Sequence, residues 1–352
     1  MTAARHEAAK TLDAKVARLR ADPGCRDFII ADAKDADMAF GLAAPGPAVG
    51  GDRQRGPFRS LADFREQIRE IVSQGFVDVM LMSASTSDVL AREERLFDGS
   101  PVTPAVRMND TTDIWLAAGS GTYPRQPALP FSTASIPHAQ WGRLEPPGRG
   151  RPVVDLGLFS ITLNGDAAAD RAMLTAYRDF RHEAERAGFR HFLEVFCPNA
   201  LAEDGTAAPL GVARFVADHV VRALAGVPAA GRPVFLKIPY LGPEVTAQLA
   251  AYDPTLIIGI LGGAAGTTHD AFALVAEAKR SGARVALFGR KINAAEHQLE
   301  FVRHLRAVAD EHLPAAEAVR SYHAAIGKHG LAPHRSLEDD LAITHTAAAY
   351  GG

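Results

Sequence analysis

The sequence predicts an α/β fold, a single (β/α)8 TIM barrel, and three observations carry that prediction. Apolar runs of strand length recur between segments of helical periodicity, at 27–32 (DFIIAD), 76–82 (FVDVMLM), 103–109 (TPAVRMN), 153–163 (VVDLGLFSITL), 191–196 (HFLEVF), 233–239 (PVFLKIP), 255–261 (TLIIGIL) and 284–289 (RVALFG). These runs are apolar on both faces, as strands of a covered parallel sheet are. There are eight of them, and eight βα repeats argue closure into a barrel. The rival, an open doubly wound sheet, places a glycine-rich fingerprint directly after its first strand. The residues that follow 27–32, AKDADMAFG, contain none.

Taken in order, the helices carry ordinary start and stop signals. Ser60 with Asp63 reads as a capping box before Leu61, Phe64, Ile68 and Val72, and Gly75 ends that helix. Asp170 is expected to open a helix through Leu174, Tyr177 and Ala184 that stops at Gly188, and Asn293 with Glu296 to start another through Leu299, Val302 and Leu305. Two connections are long. Residues 33–59 follow the first strand, and 110–152 follow the third, with aromatic anchors Trp115, Tyr123, Phe131 and Trp141. Both leave strands at the end where a barrel keeps its active-site loops, so each is either a lid or subunit contact, or a tolerated surface insertion. The expected organisation is one domain over 1–352, with an N-terminal helical extension at 1–26 and a C-terminal helical extension and tail at 312–352.

A chain of 352 residues that is 47% hydrophobic and 22% charged can bury a large core, which excludes disorder. Its net charge of −3 lacks the basic footprint that nucleic acid or an anionic membrane requires. The opening MTAARHEAAK is charged with no apolar stretch behind it, and the longest apolar run, about TLIIGILGGAAG, is too short to span a bilayer. Cys25 and Cys197 lie far apart, outside metal-type spacing. The expectation is a cytoplasmic enzyme acting on a small molecule, with no nucleic-acid or membrane partner.

In a barrel, the C-terminal strand ends build the site, so polar residues there are the candidates. The first strand ends at Asp32, the third carries Arg107 and Asn109, the fifth carries Glu194, and the sixth carries Lys237. Lys237 is one of only seven lysines, set in an apolar run. Period-two alternation puts Phe235 with Lys237, and Phe192 with Glu194, on one face of adjacent strands. A lysine in a dry cavity favours the neutral amine, which attacks a carbonyl to form a Schiff base while a neighbouring carboxyl moves the protons. The alternative is a buried ion pair that fills the lumen, although such pairs are poor sources of stability.

Gly262 and Gly263 follow the seventh strand, and Gly289 and Arg290 the eighth. These are the loops where barrels bind phosphate through backbone N–H groups, with Arg290 as a bidentate anion ligand; the same glycines also suit tight turns with no ligand. Ser83, Ser85, Thr162 and Asn164 lie at strand ends, where they either bind substrate hydroxyls or cap helices. The run DAKDAD (32–37) reads as a solvated turn, and most of the histidines such as His269, His297 and His304, on or near helices outside the barrel mouth, as surface residues. No cluster has convincing metal spacing.

On these residues the chain resembles the class I, Schiff-base-forming aldolases of the fructose-bisphosphate type, in the archaeal-type and deoxyribose-phosphate aldolase-like superfamily. FIIADAKD is similar to that family's first-strand aspartate segment, FLEVF and VFLKIPY to its glutamate and Schiff-base lysine strands, and GGAAGTTHDAFALVAEAKRSGARVALFGRKI to its phosphate-binding end. The resemblance implies a metal-independent lyase with no cofactor beyond a covalent lysine imine. It implies Lys237, Glu194 and Asp32 as catalytic residues, and a phosphorylated carbonyl substrate held at Gly262, Gly263, Gly289 and Arg290; from their place at the end of the third strand, Arg107 and Asn109 are expected to bind substrate oxygens. It also implies a homo-oligomer. Two positions depart from the family, with Arg107 in place of a lysine and no tyrosine at the end of the fourth strand. The readings that remain beside a lyase are a Schiff-base transferase, transaldolase-like or acyl-transferring, and a non-catalytic phosphosugar-binding barrel.

Overall fold

The computed structural model describes residues 9–48, 57–111, 121–148, 150–201, 208, 210–263 and 266–344. Eight parallel strands form one ladder: β1 (Ile29–Lys34), β2 (Val79–Met82), β3 (Thr103–Arg107), β4 (Leu156–Thr162), β5 (Arg190–Phe196), β6 (Leu236–Lys237), β7 (Gly259–Leu261) and β8 (Val285–Phe288). Each of β1 to β6 lies beside its neighbours in sequence; β8 pairs with β1 and with β7. The ring closes between β6 and β7, where Ile238 N–H donates to Gly259 at 2.9 Å and Leu261 N–H to Ile238 at 2.8 Å. The expected TIM barrel is present, and closure leaves the parallel ladder no free edge.

Alternation along the strands divides the core into two layers. Ile29, Ala31, Val79, Leu81, Ala105, Leu158, Phe192, Phe235 and Leu287 form one cluster inside the ring. The helix Thr11–Ala21 adds Leu12, Val16 and Leu19 to it, closing the ring opposite the C-terminal strand ends. The opposite phase, including Ile30, Met80, Val106, Ile161, Leu193, Ala286 and Phe288, packs against the surrounding helices. No helix among the described residues is long and apolar enough to cross a membrane.

The helix Leu61–Gln74 has the expected capping box at Ser60 and Asp63, and ends at left-handed Gly75. Two helix starts differ from expectation. In Ala167–Ala187 the cap is Asp166, which accepts from the N–H groups of Ala168 and Ala169, while Asp170 binds back to the N–H groups of Asn164 and Gly165. Leu174 is exposed, and Met173 and Phe180 join Tyr177 and Ala184 on the buried face. The chain after β8 makes one turn, Arg290–Asn293, before Gln298–Ala309 begins at His297; Glu296 instead accepts from Tyr322 and His334. In both cases a competing acidic side chain takes the capping role or leaves it for a tertiary partner.

Of the two long connections, the first holds short helical turns over 37–43 and a bridge between Pro47 and Phe58. The second holds an antiparallel ladder of Asp110–Thr111 with Pro130–Phe131, then the helix Ile136–Trp141. Trp115 lies outside the described residues, while Tyr123 is exposed.

Candidate functional site

The register sets the site before any side chain is considered. Ser160 on β4 lies opposite Glu194 on β5, and Glu194 opposite Lys237 on β6. All three share the inward phase, as does Arg107 on β3, so four polar side chains converge at the C-terminal end of the ring. Beneath them the rings of Phe192 and Phe235 stack with centroids 4.6 Å apart, an apolar floor two residues below Glu194 and Lys237.

Lys237 Nζ lies 2.6 Å from Glu194 Oε1. The other carboxylate oxygen, Oε2, accepts from Arg107 Nη2 at 3.0 Å and from the Ser160 hydroxyl at 2.6 Å. Arg107 also donates through Nη1 to Ser160 Oγ at 2.8 Å and to the Asn109 carbonyl at 3.1 Å, and through Nε to Asp35. Four of the five guanidinium N–H groups are thus engaged within the protein. Glu194 is 1% exposed and Lys237 7%, so the pair is nearly dry yet touches the open end of the ring. Burial alone would raise the Asp35 carboxyl; Arg107 and then Lys237 outweigh it and hold Asp35 below the usual carboxylate range.

The structure therefore brings together Lys237, Glu194 and Arg107, and leaves Asp32 outside. Asp32 shares the phase of Ile30 and faces the helices, where its carboxylate lies 3.1 Å from Lys34 Nζ. Lys34 also donates to Asn293 and, at 3.0 Å, to Gln298. Asp35, three residues on and just past the end of β1, supplies the carboxylate that reaches the inward group. Period-two alternation would place Asp35 with Ala31 and Ala33, but FIIAD is apolar in both phases, so the sequence does not disclose which phase faces in. Sequence reasoning also passes over Ser160, which continues the inward phase of Leu156 and Leu158.

Arg107 and Asn109 differ from expectation too. Arg107 is held by protein acceptors rather than free to bind a substrate anion. Asn109 extends the β3–β4 ladder with its side chain, accepting from Ser160 N–H at 2.6 Å and donating to Ser160 O at 2.9 Å. At the mouth beyond them, Ser83 Oγ donates to Asp37 at 2.6 Å, and burial pushes the Asp37 carboxyl up.

The glycines at the seventh and eighth strand ends are explained by close approach. A Cβ on Gly262 would meet the Phe288 ring at 2.2 Å, and one on Gly289 the Ala33 carbonyl at 2.4 Å. Gly263 has a positive φ of 58°; the next two residues lie outside the described set. Arg290 is exposed, its guanidinium 5.7 Å from the Phe40 ring centroid. The charge of Glu194 acts on the Arg290 guanidinium, which puts Arg290 within electrostatic reach of the site. Among the described residues no group of three His, Cys, Asp or Glu side chains is placed to hold a metal ion.

A closed barrel with a lysine, two carboxylates and an arginine at its C-terminal mouth defines the class, a TIM-barrel fold with a polar site where such barrels carry their chemistry. Among solved structures, a fructose-bisphosphate aldolase from Slackia heliotrinireducens is similar at TM-score 0.61 and 15% identity, over 94% of this chain and 96% of that one. An archaeal fructose 1,6-bisphosphate aldolase is similar at TM-score 0.57 and 18% identity, over 85% and 99%. A Schiff-base-forming fructose-1,6-bisphosphate aldolase gives 0.57 and 17%, over 85% and 100%. No protein-family model and no curated protein sequence matches the chain.

Proposed function

We propose that the chain is a class I aldolase-like lyase that makes or breaks a C–C bond through an imine on Lys237. The observation that carries this reading is the 2.6 Å contact of Lys237 with Glu194 at the barrel mouth, in a fold shared with Schiff-base aldolases. The ammonium passes a proton to Glu194, and the free amine attacks a substrate carbonyl, forming the C–N bond as the carbonyl π pair moves to oxygen. One N–H proton of the adduct passes to that oxygen, giving the carbinolamine, and Glu194 returns its proton to the carbinolamine hydroxyl, which leaves as water while the nitrogen lone pair forms the iminium. The resulting iminium accepts the electron pair of the adjacent C–C bond. Asp35, rather than Asp32, is positioned to remove the proton from the hydroxyl on the far carbon of that bond.

Arg107 and Ser160 act as positioning residues. By holding Glu194 Oε2 they turn Oε1 toward Lys237, and Arg107 fixes Asp35 with the same fork. Arginine suits this role, since its planar donors are rigid and it stays protonated. Arg290, with the backbone after β7 and β8, is the proposed holder of a phosphate group, and phosphorylated ketoses are the proposed substrates. Fructose 1,6-bisphosphate, named for the similar aldolases, is the first candidate. The test is cleavage of a panel of ketose mono- and bisphosphates, each with and without an aldehyde acceptor. The lyase reading expects carbonyl product without acceptor; turnover only when the acceptor is present overturns it in favour of a transferase.

A further inference from the structure

A second cationic cavity, of about 380 Å³, lies outside the barrel wall, among the loop after β7, the turns after β8 and the C-terminal segment. Its walls include Gly266, Lys291, Glu296, Phe301, His334 and Arg335. Lys291 sets it apart. Its side chain leaves the turn Arg290–Asn293 and is 8% exposed. The ammonium donates to the Gly266 carbonyl at 2.6 Å, and among the described residues it has no further hydrogen bond and no carboxylate within 4 Å. Two of its three donors are therefore unused at the wall of a cavity large enough for a polyatomic ion.

The surrounding charges sharpen the point. Burial lowers the Lys291 pKa, and the neighbouring charge of Arg335 lowers it further. Three carboxylates oppose this, and each already has hydrogen-bond partners of its own. Glu296 accepts from Tyr322 at 2.8 Å and from His334 N–H at 2.7 Å. Asp340 accepts from Thr268 N–H at 2.7 Å and meets His323 at 2.9 Å. Asp270 accepts from Thr267 N–H at 2.7 Å and from the Thr344 hydroxyl at 2.6 Å. Arg335 is exposed, with no ion pair among the described residues. Two cations thus flank a cavity whose one wall carboxylate, Glu296, is already engaged by Tyr322 and His334, an arrangement that an oxyanion with several acceptor oxygens completes through charge-assisted hydrogen bonds.

We propose that this cavity is a second anion site, for a phosphoryl group carried by inorganic phosphate or a phosphate monoester, separate from the barrel mouth. None of its wall residues belongs to the inward layer of the ring. Lys291 and Arg290 are consecutive, yet Arg290 lies over Phe40 while Lys291 reaches Gly266. An anion at Lys291 ties the C-terminal segment to the turn that carries Arg290, and so bears on the mouth without entering it.

Calorimetric titration of the full chain with inorganic phosphate, glycerol phosphate and acetate tests the site. The expected result is a phosphate-binding event that survives Arg290→Ala, weakens about tenfold in Arg335→Ala and is lost in Arg335→Glu. Imine trapping by borohydride stays unchanged in both Arg335 variants. Lys291→Met should abolish the same event; because Lys291 also holds the Gly266 loop, the exposed Arg335 carries the decision. Tighter binding of inorganic phosphate identifies the free ion and tighter binding of glycerol phosphate identifies an ester; either supports the site. Phosphate binding indifferent to Arg335→Glu, binding wholly lost in Arg290→Ala, or acetate binding as tightly as phosphate overturns the proposal.

Discussion

The barrel buries two lysine–carboxylate pairs, Lys34 with Asp32 and Lys237 with Glu194, and they differ in the side of the wall they occupy and in what else each lysine touches. Lys34 and Asp32 lie on the outer face of β1, both 0% exposed, and the ammonium is surrounded by Asp32, Asn293 and Gln298. Lys237 and Glu194 lie on the inner face of β6 and β5; there the carboxylate is crowded by Arg107 and Ser160, while Glu194 is the one anionic contact of the lysine among the described residues. Coordination, rather than burial, separates them. An ammonium with two hydrogen-bond acceptors and an adjacent carboxylate is fixed as a strut between β1 and the helix after β8. An ammonium with one acceptor, at the open end of the ring, retains two N–H donors for something else, and gains a lone pair only on passing a proton to Glu194.

The largest expected effect breaks the comparison from both sides. Lys237→Met should abolish borohydride trapping while the chain stays folded, because Glu194 keeps Arg107 as a partner. Lys34→Met should retain trapping and lose about 3–5 kcal/mol in chemical unfolding, the cost of leaving a buried carboxylate unpaired. A Lys34 variant that loses the adduct without losing stability would reverse the two assignments.

The carboxylates come next. Glu194→Gln is expected to slow imine formation by about 10²–10⁴-fold. Asp35→Asn should leave trapping intact and reduce C–C cleavage by about 10²-fold, while Asp32→Asn changes neither rate. Comparing single-turnover trapping with product release in the three variants checks all of this. Ser160→Ala leaves Glu194 and Arg107 each short of one bond, a loss of about 1–3 kcal/mol, seen as slower trapping with little change in substrate affinity.

The smallest effect is a pH dependence of stability. Burial pushes the Asp32 carboxyl up to about 6 despite the opposing pull of Lys34. A carboxyl raised in the folded state favours folding below its unfolded value, and that contribution is lost as pH rises through about 6. Each tenfold difference in proton affinity between the folded and unfolded chain is worth about 1.4 kcal/mol, so the wild type should lose about 2–3 kcal/mol relative to Asp32→Asn between pH 4 and pH 7. Urea unfolding of both proteins across that range reads the difference. A constant difference would mean that Asp32 stays ionised throughout.

Much of this was legible in the sequence, and what was not has a physical cause. The eight apolar runs gave the barrel, and alternation put Lys237 and Glu194 on one face because each strand has an aromatic residue two places before the charge. Alternation failed on β1, where Ile29 and Ile30 are both apolar; Asp32 and Asp35 face opposite sides of the wall, and the choice between them depends on packing that only the closed ring defines. Arg107 could be placed but not read, since its partners come from β1, β4 and β5 as well as its own strand. The cap at Asp166 was hidden by Asp170, an equally good acceptor that the fold uses to bind Asn164 and Gly165.

The most direct measurement is the position of a trapped adduct. Incubation with ketose phosphates under borohydride, followed by proteolysis and mass mapping, should place a single reduced imine on Lys237 and none on Lys34 or Lys291. An adduct on either of those lysines, or no adduct from any carbonyl compound tried against a folded wild-type chain, would contradict the assignment of Lys237 as the amine that captures the substrate.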